Sequence, residues 1–382
     1  MTKDAVLLGG PFGLGHQMMA RSFADLLDGS GWRTRCLDSL SLLGPWRGGA
    51  GERLFHRLVG VPGLYDALHF AHLRAGSRLA DRMDRASSAS LAPALRAELE
   101  RQPASLVVSV FATGASAAAR LKAEMPGLRT VVLCTDVAVH RIWAAEGTDL
   151  FLVTSPAAAE SVRRYLPRAP VAVVPPPVRP EFYAAPPQEQ ARKPLGVPPE
   201  DFCVLMIDSG WGFGPLVEAT SMLAGAGVHV LAVAGRQRRI ERRLRELAAG
   251  TPRVTPFGFT DRVPELMAAA DVVMALPGAN TCAEARVVGR HLLLLDLMPG
   301  HGRDNLLHEL ELGRAHACVP TARGVTASVL ALREAGVGAA VSPASRWEPA
   351  YVKALGHIGL DLQLGEEPDR HAAHAVPQPA VL

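Results

Sequence analysis

The 382-residue chain has only five cysteines, at positions 36, 134, 203, 282 and 318, and no two of them stand at a paired spacing. This argues against a disulfide framework or a cysteine-based zinc site and fits reduced thiols in the cytoplasm. No run of about 18 consecutive apolar residues occurs, so no transmembrane helix is expected. Charge of one sign is also lacking. Forty basic residues face 37 acidic ones, for a net +3, whereas a general nucleic-acid binder shows a strong basic excess. There is no acidic cluster of the kind that binds a divalent metal, so no metal is expected. Met1 is followed almost at once by the strand-like Ala5-Val6-Leu7-Leu8. A charged-then-apolar leader is missing there, and no secretory signal is expected.

What the chain does have is hydrophobic side chains, at 48%, enough for two domains that each bury a core. Short apolar runs alternate with helical stretches. Val6–Leu8, Thr34–Leu37, Leu106–Val110, Thr130–Cys134, Leu150–Val153 and Val171–Val174 read as strands of a first half. Cys203–Ile207, Val228–Val233, Val272–Ala275 and Leu292–Leu295 read as strands of a second. Continuous Val/Leu runs, rather than alternation, indicate parallel strands buried on both faces, and the helices between them indicate βαβ units. The class is therefore α/β, with doubly wound parallel sheets. Pro175-Pro176-Pro177 opens an aperiodic break reaching Pro199, which reads as a linker. The resulting division is a first domain over 1–178, a linker over 179–199, a second domain over 200–362 and a disordered tail over 363–382. Late helices are expected at 306–312, 326–334 and 349–360.

Residues 44–85 interrupt this rhythm. Trp46, Phe55, Leu58, Leu64, Tyr65, Leu68 and Phe70 are interleaved with seven arginines against four acidic residues. That balance equals the net charge of the whole chain. Such a stretch suits an interfacial helix on an anionic membrane. It equally suits an ordinary core helix with a charged solvent face.

Four glycine-marked or acidic turns carry the chemistry. Gly9-Gly10-Pro11-Phe12-Gly13-Leu14-Gly15-His16 follows the first strand and opens a helix expected from Gln17. Small residues there let a ligand approach the backbone. One alternative is a dinucleotide turn, with Asp38 accepting a ribose hydroxyl. His16 sits at the helix start, where a ligand-facing role competes with a structural one. Thr135-Asp136 follows the fourth strand, with His140 and Trp143 beyond it. Asp136 could serve as general base, orient His16, or simply cap the next helix. Asp208-Ser209-Gly210-Trp211-Gly212-Phe213-Gly214 repeats the strand–glycine–helix design, as a phosphate cradle or as domain packing.

The fourth turn is the most informative. Gly258-Phe259-Thr260-Asp261 precedes Pro277-Gly278-Ala279-Asn280-Thr281-Cys282-Ala283-Glu284, and Pro299-Gly300-His301-Gly302-Arg303-Asp304-Asn305 follows. A glycine turn into a helix points free N–H groups at an anion, and the helix dipole adds to the attraction. Glu284, one turn on, is placed to chelate sugar hydroxyls, although pairing with the dipole is a simpler use of it. Together these features describe a nucleoside diphosphate pocket.

With these residues placed, the chain resembles the GT-B glycosyltransferases of the monogalactosyldiacylglycerol synthase and processive diacylglycerol glucosyltransferase family. More distantly it is similar to the cell-wall enzyme that adds N-acetylglucosamine to an undecaprenyl-linked acceptor. The resemblance spans about residues 4–320. It rests on Gly13-Leu14-Gly15-His16, Thr135-Asp136 with His140 and Trp143, Val178-Arg179-Pro180-Glu181-Phe182, Gly258-Phe259-Thr260-Asp261, Pro277-Gly278, Glu284-Ala285, and Pro299-Gly300 with Asn305.

The resemblance implies two Rossmann-like domains facing across a cleft, and an inverting, metal-independent transfer from a UDP-sugar to a lipid-like or polyprenyl-type acceptor. The product would be a glycolipid or a lipid-bearing secondary metabolite. No cofactor is implied, the UDP-sugar being a co-substrate. The enzyme would lie in the cytoplasm, peripheral on the membrane. Glu284 would hold the ribose, Gly258 and Phe259 the uracil, and Ala279, Asn280 and Thr281 the phosphates, with Gly210, Gly212 and Gly278 lining the donor site. His301, Arg303 and Asn305 would lie near the donor sugar. Gly13, Gly15, His140 and Trp143 would meet the acceptor, and His16 or Asp136 would be the base. Two motifs depart from the family. Leu276-Pro277-Gly278-Ala279 stands where relatives read Lys-Pro-Gly-Gly, and Pro299-Gly300-His301-Gly302 where they read Pro-Gly-Gln-Glu. His301 and Arg303 then suggest an acidic donor such as a UDP-hexuronic acid. The alternatives are a UDP-sugar 2-epimerase on the same fold and a non-catalytic nucleotide-sugar binder.

A thermal-shift screen separates the dinucleotide and sugar-nucleotide readings. A UDP-sugar at 100-fold over its dissociation constant is expected to stabilise the protein by about 2.7 kcal/mol, with no response to NAD(H). The opposite pattern would overturn the sugar-nucleotide reading.

Overall fold

The structure, a computed structural model, describes residues 3–10, 13–44, 63–208, 215–313, 315–337 and 344–363. Gly210 and Gly212, residues 45–62 of the aromatic–basic stretch and the tail from 364 onward lie outside the described residues.

Six strands form a first, all-parallel sheet: β1 (Asp4–Gly9), β2 (Arg33–Asp38), β3 (Leu106–Ser109), β4 (Arg129–Cys134), β5 (Leu150–Val153) and β6 (Val171–Val173). Their spatial order is β2-β1-β3-β4-β5-β6. The central strands are buried from end to end, because helices cover both faces and every side chain meets one or the other. Strand order reverses between β1 and β3, and the crevice at their C-terminal ends is where such sheets bind ligands.

A second parallel sheet repeats the plan: β7 (Cys203–Ile207), β8 (His229–Val233), β9 (Val254–Phe257), β10 (Val272–Ala275), β11 (His291–Leu295) and β12 (Ala315–Cys318), in the order β12-β11-β10-β7-β8-β9. Its reversal lies between β7 and β10. The strands β9 and β12 escape the sequence reading because they are the two edges. One carries Pro256, the other is Ala-His-Ala-Cys, and an edge tolerates both proline and weak strand formers.

The helices expected from Gln17 and from 306 begin about one turn early. The helix after β1 runs Gly13–Gly29, so the glycine loop supplies its first turn, and the helix expected at 306 runs His301–Glu311. First-turn N–H groups make no bond within the helix, so poor helix formers are admitted there.

The stretch 179–199 is not an unstructured linker. It forms short helices at Pro180–Tyr183 and Gln188–Arg192 and packs against the second domain. Phe182 is 1% exposed and Arg192 4%. The buried Arg192 guanidinium donates to Asp271 Oδ2 at 2.7 Å and to the Ala269 and Pro199 carbonyls at 2.9 and 2.6 Å. Asp271 also accepts from Gln188 Nε2 and from the Cys203 N–H. Proline spacing hides this anchor, because its partner is 79 residues away.

The second domain also does not end within itself. The helix Glu348–Gly356 returns to the first domain. Trp347 Nε1 donates to the Val178 carbonyl at 2.8 Å, and Tyr351 meets Phe23 edge-to-face at 5.4 Å. Among the described residues, no helix is long and apolar enough to cross a membrane.

Asp271→Ala is expected to strand the Arg192 charge and destabilise by about 3–5 kcal/mol, measured by urea unfolding. A loss below about 1 kcal/mol would mean that the segment after residue 179 is not anchored through this pair.

Candidate functional site

On the first-domain side, the site is built at the β1/β3 reversal. Gly10 is required where it stands, since a Cβ there would lie 2.6 Å from the Phe111 ring. That ring in turn meets His16 edge-on at 5.4 Å. His16 Nδ1 lies 3.0 Å from the Val110 carbonyl just past β3. A carbonyl only accepts, so Nδ1 carries the ring proton and Nε2 is left with a free lone pair. Burial lowers the imidazole pKa below 6.5, with Asp136 offsetting this in part. His16 is therefore a neutral imidazole at pH 7 with a basic nitrogen to spare.

Asp136 lies past the end of β4. Its Oδ2 accepts from Trp143 Nε1 at 3.1 Å. Burial pushes the carboxyl pKa up, but His301, His140, His16 and the Trp143 N–H outweigh it, and the group lies below its ordinary value. An ionised, low-pKa carboxylate is a weaker base than His16 and a better stabiliser of positive charge nearby. Trp143 is 1% exposed and buried among core residues. Its expected role as an acceptor contact is corrected: it holds Asp136. His140 is 9% exposed, its ring 5.9 Å from that of His69, and burial above all depresses its pKa to about 4. It is a neutral wall rather than a base.

On the second-domain side, the helix Ala279–Val288 starts at the β7/β10 reversal. Its ladder begins with Cys282 N to the Gly278 carbonyl at 3.0 Å, and Gly278 provides no side-chain cap. The N–H groups of Ala279, Asn280 and Thr281 thus occupy the uncapped first turn, the geometry that attracts a phosphate. Glu284 lies one turn on, 3.7 Å from Arg179. Burial raises its carboxyl pKa to about 7, despite Arg179. Phe259 is 60% exposed, with the Arg236 guanidinium 4.9 Å over its ring, and the Glu241 carboxylate lies against Gly258.

The two halves meet in a polar seam. Leu64–Leu68 is a short α-helix that continues as a π-helical turn over His69–Leu73, a form that recurs at functional sites. From it Asp66 accepts the Gly300 N–H at 2.5 Å, His69 Nε2 lies 3.1 Å from Asp304 Oδ2, and Arg74 donates to the same oxygen at 2.7 Å. Tyr65 Oη stands 3.3 Å from His301 Nδ1. Tyr65, His69 and Leu73 are buried here, as the core-helix reading expects for this part of 44–85.

Three expected donor-site residues have their side chains engaged by other protein groups. The Asn305 amide, 4% exposed, spans the seam: Nδ2 donates to the Pro277 carbonyl and Oδ1 accepts from the Val137 N–H. The Asn280 side chain donates to the Gly15 carbonyl at 2.7 Å, leaving only its main-chain N–H for a phosphate. Arg303 faces Asp66 at 3.7 Å and Asp296 at 3.4 Å. Burial lowers the His301 pKa as well.

The structure brings together His16, Asp136, His140 and His301, which are linked electrostatically. Asn280 joins this centre through Gly15. Phe259 and Glu284 lie on the second domain. Sequence reasoning missed Tyr65, His69, Arg74, Asp66 and Asp304. Their partners lie more than 200 residues away, and no spacing signals such pairs.

Comparison with known proteins gives two family matches. Residues 16–178 match the monogalactosyldiacylglycerol (MGDG) synthase model, and residues 216–320 match the glycosyltransferase family 28 C-terminal domain model. A probable chloroplastic monogalactosyldiacylglycerol synthase of Nicotiana tabacum is 32% identical over 148 residues, covering 36% of this chain and 27% of that protein. A processive diacylglycerol beta-glucosyltransferase of Bacillus pumilus is 25% identical over 184 residues, covering 46% of this chain and 47% of its own. The matches thus span at most about half the length of these relatives. Among solved structures, MurG of Acinetobacter baumannii superposes with a TM-score of 0.54 at 15% identity, covering 93% of this chain and 94% of its own. The two facing six-stranded sheets are a GT-B fold.

Glu284 generates a pH prediction. Its raised pKa means that the folded state holds the proton more tightly than the unfolded chain does. The penalty is absent below about pH 4.5, grows toward pH 7 and is full above it. Relative to the parent, Glu284→Gln is expected to gain stability as pH rises from 5 to 8, on the order of 2 kcal/mol. Equal pH profiles in chemical denaturation would show that the carboxyl is not desolvated.

Proposed function

We propose, for a chain built of an MGDG synthase domain followed by a glycosyltransferase family 28 C-terminal domain, that it transfers a hexosyl group from a UDP-sugar to the hydroxyl of a lipid-like acceptor. The observation that carries this reading is the pairing of two sheet reversals across one cleft. One presents a neutral His16 with a free Nε2. The other presents an uncapped helix start at Ala279–Thr281.

The chemistry follows from that pairing. His16 Nε2 accepts the proton of the acceptor hydroxyl as its oxygen attacks the anomeric carbon. The bond from that carbon to the phosphate oxygen breaks on the opposite face, so the centre inverts. Negative charge developing on the leaving diphosphate meets the first-turn N–H groups and the positive end of the helix dipole. That helix end supplies the positive potential which a metal supplies elsewhere, so the transfer is read as metal-independent. Asp136, ionised and fixed by Trp143, favours the imidazolium that forms on His16. Glu284 is read as the acceptor of ribose hydroxyl hydrogen bonds, and Phe259 as the surface beside the base.

The relatives' names cite a diacylglycerol-type lipid, and the first domain has a surface suited to one. Leu79 and Met83, four residues apart, are 42% and 36% exposed on the helix Arg78–Arg101, and Leu64 and Phe70 are 50% and 39% exposed. The exposed Arg78, Arg82 and Arg85 lie on the same helix. Apolar residues flanked by arginines fit an anionic membrane surface, which would deliver a membrane-borne acceptor to the cleft. The donor is read as a neutral UDP-hexose, because Arg303 is engaged by two carboxylates.

Release of UDP from a panel of UDP-sugars, with and without diacylglycerol vesicles, tests the reading. Release that depends on the acceptor is expected, fastest with neutral hexoses, and His16→Ala is expected to lower kcat by about 10²–10⁴. Release that ignores the acceptor would replace the proposal with an epimerase. Full activity in His16→Ala would remove the base assignment.

A further inference from the structure

We propose that Tyr65 is a positioning residue: its hydroxyl donates to His301 Nδ1 and so fixes His301 as an Nε2–H donor toward the sugar of the bound nucleotide. The inference rests on the reading of the cleft as a sugar-nucleotide site. It adds that this site is completed by a side chain from the opposite domain.

The geometry is as follows. Tyr65 Oη lies 3.3 Å from His301 Nδ1, across 236 residues of sequence. The phenol is 6% exposed, and burial, helped by Asp136 and Asp66, raises its pKa well above the ordinary value, so it keeps its proton. A phenol O–H is a good donor and its oxygen a poor acceptor, whereas a neutral imidazole nitrogen accepts well. The bond therefore runs from Oη to Nδ1. Since burial also keeps the His301 ring neutral, its single N–H sits on Nε2. His16 has the opposite tautomer, fixed by the Val110 carbonyl. One imidazole of the cleft is thus an acceptor and the other a donor, as base and sugar contact require.

The Tyr65 ring is held firmly enough to do this. It stacks on His69 at 6.0 Å with a 30° tilt and meets His301 edge-on at 6.1 Å. Gly300, at φ +63°, makes room for it: a Cβ there would lie 2.5 Å from Tyr65 Cε1. The neighbouring Asp66 accepts the Gly300 N–H, and His69 and Arg74 both meet Asp304. Four side chains of the 65–74 turn thus grip the start of the helix that carries His301. A neutral N–H donor reads a hexose hydroxyl or a phosphate oxygen.

The test uses Tyr65→Phe, His301→Gln and the double variant of the full chain. In ¹⁵N-histidine NMR, with the His301 signal identified by its loss in His301→Gln, the parent is expected to show an Nε2–H tautomer and Tyr65→Phe a mixture. An Nδ1–H tautomer in the parent would overturn the proposal. In kinetics, Tyr65→Phe is expected to lower kcat/KM for the UDP-sugar roughly five- to tenfold, with cooperative melting retained. Glutamine brings its own N–H donor and needs no tautomer. The Tyr65→Phe loss should therefore vanish in the His301→Gln background, and an equal loss in both backgrounds would overturn the proposal. If no UDP-sugar is turned over, the functional reading fails, while the NMR result still decides the tautomer.

Discussion

The hydrogen-bonded seam between residues 65–74 and 300–305 is the constraint on which the site depends. Asp304 takes two donors from the opposite domain, Asp66 takes the Gly300 N–H, and Asn305 bridges the Val137 N–H and the Pro277 carbonyl. A buried donor or acceptor left unpaired costs about 1–3 kcal/mol. Tyr65, Asp66, His69 and Arg74 all find partners on the other side, which favours this relative placement of the domains. The positions of His301 and Asn280 against His16, and of Asp136 among its histidines, follow from that placement.

Within this frame the two sheets divide the work by a shared rule. Each offers the C-terminal ends of the strands where its order reverses. In the first, the reversal presents an imidazole whose tautomer a main-chain carbonyl decides. In the second, it presents the start of a helix. Burial then sorts the titratable groups. Imidazoles lose affinity for protons and stay neutral, while Asp136, surrounded by donors and histidines, stays charged. Desolvation alone would have raised the carboxyl pKa, and it is the surrounding imidazoles and the Trp143 hydrogen bond that reverse the outcome.

Much of the fold was legible along the chain. Val/Leu runs such as Leu106–Val110 and Leu150–Val153 mark central strands, because a strand covered on both faces has no polar side. The glycine turns mark places where strands hand over to helices. Legibility failed where a residue's surroundings come from far away. Trp143 and Asn305 look like site-lining residues by position, yet both are buried and bonded within the framework. Arg303 looks like a free cation until Asp66 and Asp296 are placed beside it. The proline-rich stretch gives no sign of its anchor until Arg192 is seen buried against Asp271.

The sequence by itself determined two parallel α/β domains, the glycine turns and the helix start that a diphosphate would use. All of these arise from local periodicity and main-chain geometry, which neighbours in the chain encode. Only the tertiary structure decided which histidine has a free nitrogen, which carboxylate stays charged, and which polar residues face a ligand rather than one another. Those properties depend on burial and on partners hundreds of residues away, and the order of residues along a chain does not contain distances in space.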